Sequence, residues 1–181
     1  MTITSSTISD LKIIEPKVFY DDRGYFYESY NQSKYSKDVE YNWVQDNESK
    51  SQKGVLRGLH YQIGEFAQAK LVRAIVGELF DVAVDIRPNS PTYGQWYGAI
   101  LSAQNKKQLL IPRGFAHGFL VLSDEAIFGY KCDNYYSKES EGGVIYNDPN
   151  IGIQWPEVDG EILLSEKDQK NPRLGEHREY E

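Results

Sequence analysis

Residues 80–86 read Phe-Asp-Val-Ala-Val-Asp-Ile, and this stretch has the clearest secondary-structure pattern in the chain. A large apolar residue stands at every second position. Because successive side chains of a β-strand point to opposite faces, these apolar side chains would share one face. The pattern predicts a half-buried strand with its apolar face against a core.

Shorter runs of the same kind lie on both sides of this stretch. They occupy residues 24–30, 55–61, 70–75, 95–101, 108–111, 119–122 and 126–136. Turn signals rich in glycine, proline and asparagine separate them, without the long helical crossovers that a parallel sheet needs. The spacing therefore predicts an all-β antiparallel sandwich or barrel. Short helices are predicted only at residues 32–38 and 165–170.

The length and composition fit one compact domain. The chain has 181 residues, of which 40% are hydrophobic and 13% aromatic, and this is enough to build one core. We expect a single domain over residues 1–181, with a loosely held polar tail after about residue 172. The only cysteine, Cys132, cannot form an intrachain disulfide, and we expect it to be a small apolar filler.

The charge and the N-terminal sequence restrict the partners and the location. A formal net charge of -7 would repel nucleic acids and anionic membranes at long range, so neither is an expected partner. The chain has no apolar run of spanning length, and its first ten residues lack the basic and apolar regions of a secretion signal. We therefore expect a cytoplasmic protein, in which an anionic ligand would need a local basic pocket.

The three histidines are the first candidates for acid–base chemistry, because imidazole titrates nearest to neutral pH. His177 lies in the polar tail, where we expect a structural or solvated role. His60 and His117 lie in the segments GVLRGLHYQ at 54–62 and IPRGFAHGF at 111–119. Glycine inside such strands often marks a bulge or the close approach of a ligand. Taken alone, each of these two imidazoles could equally be a hydrogen-bonded core or rim residue.

Further motifs follow one another in order along nearly the whole chain. Besides the two histidine segments they are RGYFYE at 23–28, KLVR at 70–73, DVAVDIR at 81–87, SPTYG at 90–94, YKC at 130–132, NDP at 147–149 and LSEKD at 164–168. Together these motifs resemble the dTDP-4-dehydrorhamnose 3,5-epimerase family, and their common order is far more specific than any one of them.

The resemblance implies a fold, a reaction and a partner. The implied fold is an antiparallel jelly-roll β-barrel of the cupin type with a few short peripheral helices, in a homodimer. The implied reaction is the epimerisation of dTDP-4-dehydro-6-deoxy-D-glucose at C3 and C5 to dTDP-4-dehydro-L-rhamnose, on the route to dTDP-L-rhamnose. The ligand would be a dTDP-linked 4-keto-6-deoxy sugar, with no metal and no other cofactor.

Inversion at a carbon beside a ketone needs a base and an acid on opposite faces of the sugar, because the C4 ketone acidifies the hydrogens at C3 and C5. By resemblance His60 is the base, Asp168 orients it, and Tyr130 is the acid. Lys70 would lie beside the C4 oxygen and stabilise the enolate. The resemblance also places His117 close to the sugar.

Three of these side chains also have simpler interpretations. Asp168 follows Ser165 by three positions, which fits a capping box at the start of a helix. Tyr130 lies in an alternating strand, where a buried tyrosine commonly serves packing alone. Lys70, considered by itself, could be a solvated surface charge.

A wider set of polar residues is suited to the rest of the ligand. Arginine and lysine side chains can bind a pyrophosphate and a keto group, and the resemblance adds further polar positions, two of them donated across the dimer. Asp46 is left out because its carboxylate would repel a phosphate. The candidate substrate-binding residues are Arg23 and Glu28, which would cross the dimer, together with Gln45, Asn47, Arg57, Lys70, His117, Glu141 and Lys167.

The positions of Arg57 and His60 set a geometric problem. Side chains an odd number of residues apart face opposite sides of a regular strand. A β-bulge at Gly58 would shift this parity and let both side chains enter one cavity. We therefore predict a bulge at that glycine.

Three other functions stay open. A C3-only epimerase of another deoxysugar pathway would share the base and the lysine. A metal-dependent cupin dioxygenase would need a cluster of imidazoles and a carboxylate around an ion such as iron, but the segment around His60 lacks the usual second histidine two positions away. A non-catalytic sugar-binding module would have no need of a histidine, a lysine and a tyrosine together.

Overall fold

The structure is a computed structural model that describes residues 1–35 and 41–180. Its strands are β1 (Thr2–Ser5), β2 (Lys12–Glu15), β3 (Phe19–Asp21), β4 (Gly24–Phe26), β5 (Gln45–Gln52), β6 (Leu56–Gln62), β7 (Lys70–Val76), β8 (Glu78–Asp85), β9 (Trp96–Ser102), β10 (Gln108–Ile111), β11 (Phe115–Val121), β12 (Glu125–Cys132) and β13 (Glu141–Gly143). Within these described residues, helical structure is limited to α1 (Gln32–Tyr35) and the 3-10 turns Gly64–Phe66, Lys138–Ser140 and Asp168–Lys170.

The strands form two antiparallel sheets and a separate hairpin. One sheet has the order β1-β2-β10-β7-β12-β5, the other has the order β13-β6-β11-β8-β9, and β3 pairs only with β4. Most neighbours within each sheet are distant in the chain, as the crossing connections of a jelly roll require. The prediction of an antiparallel jelly-roll barrel of the cupin type with short peripheral helices is confirmed.

The core lies between the two sheets. It contains inward-facing side chains of both, among them Val72, Leu79, Leu109, Phe119 and Phe128, each at most 5% exposed. Burial of these apolar side chains, at roughly 1.5–3 kcal/mol each, is the main favourable contribution to folding.

Strand β8 is buried on both faces, and not on one face as the alternation predicts. The large apolar side chains of residues 80–86 point away from the barrel interior and pack in an outer cluster with Val144, Ile151 and Trp155. Ala83 points inward to the main core, and Asp81 is also completely buried. The C-terminal part of the chain supplies the cover for the outer face, which local alternation does not reveal.

The C-terminal tail is part of this cover. The N–H of Leu174 donates to Oδ2 of the buried Asp148 at 2.6 Å, and Oη of Tyr61 donates to the carbonyl of Arg178 at 2.6 Å. Two apolar side chains of the tail pack against the outer cluster. The prediction of a loosely held tail after residue 172 is therefore wrong, because its polar composition conceals these long-range contacts.

The predicted strand boundaries match the observed ones best where apolar side chains alternate. The predicted strand at 24–30 ends at Phe26, and that at 126–136 ends at Cys132. Strand β5 was not predicted, because its sequence, QDNESKSQ, is entirely polar and shows no apolar alternation. Its inward side chains line cavities instead of the apolar core.

The helices are shorter than predicted. Of the predicted helix at 32–38, residues 32–35 are helical, while residues 36–38 lie outside the described residues. Of the predicted helix at 165–170, only Asp168–Lys170 forms a 3-10 turn. No helix in the described part of the chain is long and apolar enough to cross a membrane.

Candidate active site

A β-bulge in β6 brings Arg57 and His60 to the same side of the sheet. His60 pairs with His117 and Arg57 pairs with Phe119, so three steps along β6 match two steps along β11. Gly58 lies inside the bulge with a φ of +125°, a backbone conformation that other residues rarely adopt. The predicted bulge is confirmed, and both side chains line one cavity.

This main cavity, about 470 Å³ in volume, opens between the sheets. Its walls come from β5, β6, β7, β11 and β12, with residues 163–168 closing one side. A smaller cavity of about 330 Å³ adjoins it and shares His60, Lys70 and Tyr130. The main cavity also contains Arg57, His117, Lys167 and Asp168, and the smaller cavity adds Gln45, Asn47, Tyr136 and Glu141.

His60 and Asp168 form a close pair at the wall of the main cavity. Nε2 of His60 lies 2.6 Å from Oδ1 of Asp168, and the side chains are 31% and 4% exposed. The N–H of Gly58 donates to Oδ2 at 3.4 Å. The capping contact of the turn comes from Ser165, whose Oγ accepts the N–H of Asp168 at 3.1 Å. The Asp168 carboxylate is thus directed to His60 and the bulge, while Ser165 caps the turn.

The surroundings of Asp168 favour the ionised form of its carboxylate. Burial acts to raise the pKa of Asp168, but the hydrogen bonds from His60 and Gly58 outweigh it, and the pKa lies below its ordinary value. An ionised carboxylate can only accept hydrogen bonds, so the proton between the two groups belongs to Nε2 of His60. In the neutral imidazole with this tautomer, Nδ1 carries a lone pair and can act as a base.

A second histidine–carboxylate pair lies deeper. Nε2 of His117 is 2.7 Å from Oδ1 of Asp81, and the side chains are 7% and 0% exposed. Oδ2 of Asp81 has no hydrogen-bond partner among the described residues. Burial raises the pKa of Asp81, against the opposing effects of His117 and Lys70. Asp81 was not among the predicted site residues, although its place between alternating apolar residues puts a carboxylate inside the barrel.

Lys70 and Tyr130 face each other from the neighbouring strands β7 and β12. Nζ of Lys70 lies 5.9 Å from the centroid of the Tyr130 ring. Burial lowers the pKa of Lys70, and electrostatic interactions with Cys132, Asp81 and Glu141 partly offset that effect. Burial also raises the pKa of the Tyr130 hydroxyl. Lys70 is therefore a desolvated amine beside a protonated phenol, and not a solvated surface charge.

The cavity rim holds its charged groups in defined positions. Nε of Arg57 donates to Oγ of Ser51 at 3.0 Å. Glu141 accepts a contact from Nζ of Lys167 at 2.5 Å and a hydrogen bond from Oη of Tyr136 at 3.2 Å. Burial acts to raise the pKa of Glu141, but the Lys167 ammonium outweighs it and the pKa is lowered. The rim thus offers two cations to an anionic ligand.

Arg23 and Glu28 do not join this site within one chain. Arg23 lies in the turn of the β3–β4 hairpin, with its side chain 90% exposed and paired to Asp21 at 2.6 Å. Glu28 pairs with Lys34 and accepts a hydrogen bond from Asn31 at 2.8 Å. The other predicted site residues all line the two cavities.

The metal-binding capacity of the site can be judged from its donors. In residues 1–35 and 41–180, no group of three or more histidine, cysteine, aspartate or glutamate side chains could hold an ion. The two imidazoles of the main cavity each use Nε2 to bond a carboxylate. Cys132 is buried.

Comparisons with known proteins agree with this geometry. The family model of dTDP-4-dehydrorhamnose 3,5-epimerase matches residues 5–176. The chain is 57% identical to dTDP-4-dehydrorhamnose 3,5-epimerase of Escherichia coli (strain K12) over 94% of this chain and 92% of the relative.

Solved structures extend the comparison. The epimerase from Legionella pneumophila, in complex with dTDP-4-keto-L-rhamnose, is 52% identical with a TM-score of 0.93, over 97% of this chain and 93% of that chain. A 3'-monoepimerase from Streptomyces bikiniensis, in complex with dTDP-quinovose, is 32% identical with a TM-score of 0.89, over 95% of this chain and 87% of that chain. The fold, the cavity and these similarities lead to one conclusion: the chain belongs to the dTDP-4-dehydrorhamnose 3,5-epimerase family.

Proposed function

We propose that this protein epimerises dTDP-4-dehydro-6-deoxy-D-glucose at C3 and C5 to dTDP-4-dehydro-L-rhamnose, by proton abstraction and reprotonation. The observation that carries the proposal is the His60–Asp168 pair, at 2.6 Å, in the wall of a cavity that also holds Lys70 and Tyr130. These are the residue types that carbon-acid chemistry beside a ketone requires. The family relationship supplies the substrate.

The base in this proposal is Nδ1 of His60. It removes the proton from C3 or C5, and the resulting imidazolium is stabilised by the Asp168 carboxylate on the other ring nitrogen. Both carbons flank the C4 ketone, so one base can serve both if their hydrogens are presented in turn. The electron pair released from carbon moves to the C4 oxygen and forms an enolate.

Lys70 and Tyr130 complete the reaction. The Lys70 ammonium stabilises the developing charge on the C4 oxygen, an interaction that is strong in a site with little water. Tyr130 returns a proton to the opposite face of the carbon, which inverts the configuration. Because burial raises its pKa, the phenol keeps this proton at neutral pH.

The rim residues bind the nucleotide part. Arg57 and Lys167 are the cations of the main cavity nearest to solvent, and we propose that they contact the pyrophosphate, which guanidinium and ammonium groups recognise well. Gln45, Asn47 and Glu141 would bind polar groups from the smaller cavity. His117, held by Asp81, would contact the sugar. These positive side chains offset the net charge of -7 where the ligand enters.

Double epimerisation is the product pattern that we favour. Identity is 57% to the Escherichia coli 3,5-epimerase but 32% to the 3'-monoepimerase. The alternative is inversion at C3 alone. Proton NMR of the product formed from dTDP-4-dehydro-6-deoxy-D-glucose separates the two, because inversion at C5 changes the coupling pattern of the ring.

We also propose a homodimer in which the β3–β4 hairpin reaches the partner's cavity. Its strands expose Phe19, Tyr20, Tyr25 and Phe26, and contiguous exposed aromatic side chains on a soluble protein usually mark an interface. Arg23, at the tip of this hairpin, would then contribute its guanidinium to the ligand site of the other chain. Glu28, just beyond β4, would accompany it.

Hydrogen exchange tests the proposed base directly. In D2O, we expect wild-type protein to incorporate deuterium at C3 and C5, and His60→Ala to lower the exchange rate by about a hundredfold or more. Binding of dTDP, measured by calorimetry, should stay close to the wild-type value because the proposed mechanism assigns His60 to the sugar and not to the nucleotide.

The matched control is His177→Ala. This histidine lies outside both cavities, where its Nδ1 accepts the N–H of Gly175 at 3.0 Å. The control should exchange like the wild type. Wild-type exchange rates in folded His60→Ala protein would refute the mechanism.

A further inference from the structure

The C-terminal tail contacts the segment that carries one of the rim residues. Arg178 reaches across from the tail, and its NH1 group donates to the carbonyls of Glu139 at 2.7 Å and Glu141 at 2.8 Å. A guanidinium that bonds two carbonyls on either side of a turn fixes the backbone of that turn. We propose that Arg178 is a positioning residue for substrate binding, acting through Glu141; this inference rests on the proposed function.

The clamped turn leads directly into the active-site sheet. Residues Lys138–Ser140 form a 3-10 turn that continues into the edge strand β13. In β13, Glu141 pairs with Gln62 and Gly143 pairs with His60. An edge strand has a neighbour on one side only, so its position depends on further contacts at its start. Arg178 supplies such contacts.

The side chain of Glu141 connects the clamped backbone to two residues of the cavity rim. One carboxylate oxygen contacts Lys167 at 2.5 Å, and the other accepts a hydrogen bond from Tyr136 at 3.2 Å. Lys167 lines the main cavity, and Tyr136 lines the smaller one. A displaced Glu141 backbone would therefore move a cation and an aromatic side chain out of the places where the ligand meets them.

The tail itself is fixed at several points, so Arg178 is anchored independently of the rim. Oη of Tyr61, the residue after His60, donates to the carbonyl of Arg178 at 2.6 Å. Tyr61 is only 4% exposed. Nearer the start of the tail, the N–H of Leu174 is bonded to the buried Asp148 carboxylate at 2.6 Å. These anchors hold the guanidinium where it can reach both carbonyls.

The His60–Asp168 pair does not depend on this clamp. Asp168 comes from a different turn and is bonded to Gly58 and Ser165 as well as His60. Loss of the Arg178 contacts should therefore weaken ligand binding and leave the proton-transfer groups in place. In kinetic terms, KM changes and kcat does not.

The test compares Arg178→Ala, Arg178→Lys and Arg173→Ala. We expect Arg178→Ala to raise KM about tenfold, the effect of losing a hydrogen bond from a charged donor, with kcat within about twofold of wild type. Arg178→Lys should recover most of the loss, since one ammonium can donate to both carbonyls. Arg173→Ala is the control, because the Arg173 guanidinium has no partner in the described part of the chain.

The same variants are tested for dTDP binding by calorimetry, so the inference does not depend on turnover alone. An inactive wild type would refute the proposed function, while weaker dTDP binding by Arg178→Ala than by Arg173→Ala would still support the clamp. Equal KM and equal dTDP affinity in Arg178→Ala and Arg173→Ala would overturn it. So would a fall in kcat at unchanged KM, or a lysine variant no better than the alanine variant.

Tyr61→Phe keeps the inference testable if Arg178→Ala does not fold. This change removes only the hydroxyl that holds the Arg178 carbonyl. We expect KM to rise in the same direction. A folded Tyr61→Phe protein with wild-type KM and dTDP affinity would overturn the proposal.

Discussion

Lys70 shows how burial tunes one residue of the site. Burial removes water from its ammonium and lowers the pKa. The nearby carboxylates of Asp81 and Glu141 act in the opposite direction and offset part of this lowering. For a lysine the protonated form is the charged form, so a lowered pKa means that the charge is lost at a lower pH than in a free side chain. The stabilisation of the enolate by Lys70 is lost with that charge.

We therefore predict that kcat/KM falls on the alkaline side with a midpoint below 10.5, the ordinary pKa of lysine. Tyr130 does not cause this fall, because its pKa is raised. A pH–rate profile of the wild type measures the midpoint, and Lys70→Arg provides the control. A guanidinium stays charged at these pH values, so the residual activity of the variant should lose this alkaline fall. A fall at the same pH in both proteins would contradict the assignment.

The bulge in β6 is the element on which the site geometry depends. It gives Arg57 and His60 a common side by matching three steps along β6 to two steps along β11. The two strands approach closely at this point. A Cβ atom at Gly58 would lie 2.6 Å from Cα of Gly118 and 2.7 Å from the carbonyl oxygen of His117. Neither backbone atom can move without shifting β11.

Gly58→Ala should therefore lower both stability and activity. We expect a loss of about 2–5 kcal/mol in the free energy of unfolding, from the unfavourable φ together with the backbone clash. Gly64→Ala is the matched control, because Gly64 also has a positive φ, +58°, but an added Cβ would meet nothing within 4 Å. Its cost should be about 1 kcal/mol. Denaturant unfolding measures both, and equal stability of the two variants would contradict the close approach.

The elements that sequence predicted well are those with local patterns. Alternation located β8 and β10, and glycine placement located the bulge, because both signals lie within a few neighbouring residues. The polar strand β5 has no such signal, since its inward face lines cavities. Local patterns cannot predict pairing between distant segments. His60 and Asp168 are 108 residues apart, and their pairing was inferred only by resemblance. The same applies to the tail, where Tyr61 and Arg178 are 117 residues apart.

At the scale of the whole molecule, one chain does not bring Arg23 to the two cavities. Arg23 projects from a hairpin whose aromatic side chains stay open to solvent, with Tyr20 71% and Phe26 68% exposed. The hairpin contacts the rest of the chain through Tyr25, in the middle of β4, where Nζ of the buried Lys106 lies 3.9 Å from the centroid of the Tyr25 ring. This arrangement suits a hairpin that packs against a second chain and places Arg23 in the partner's cavity.

Mixed dimers can test whether the site is shared between chains. His60→Ala chains lack the base but keep an intact hairpin, whereas Arg23→Ala chains keep the base but lack the guanidinium. In a mixed dimer, the cavity of the Arg23→Ala chain would receive an intact hairpin and become active. Denaturing and refolding the two variants together at equal amounts should restore about a quarter of wild-type activity, because half of the randomly formed dimers are mixed and each has one complete site. Light scattering of the refolded mixture checks that dimers have formed, which the test requires. If Arg23 served its own chain, the mixture would show only the average activity of the two variants.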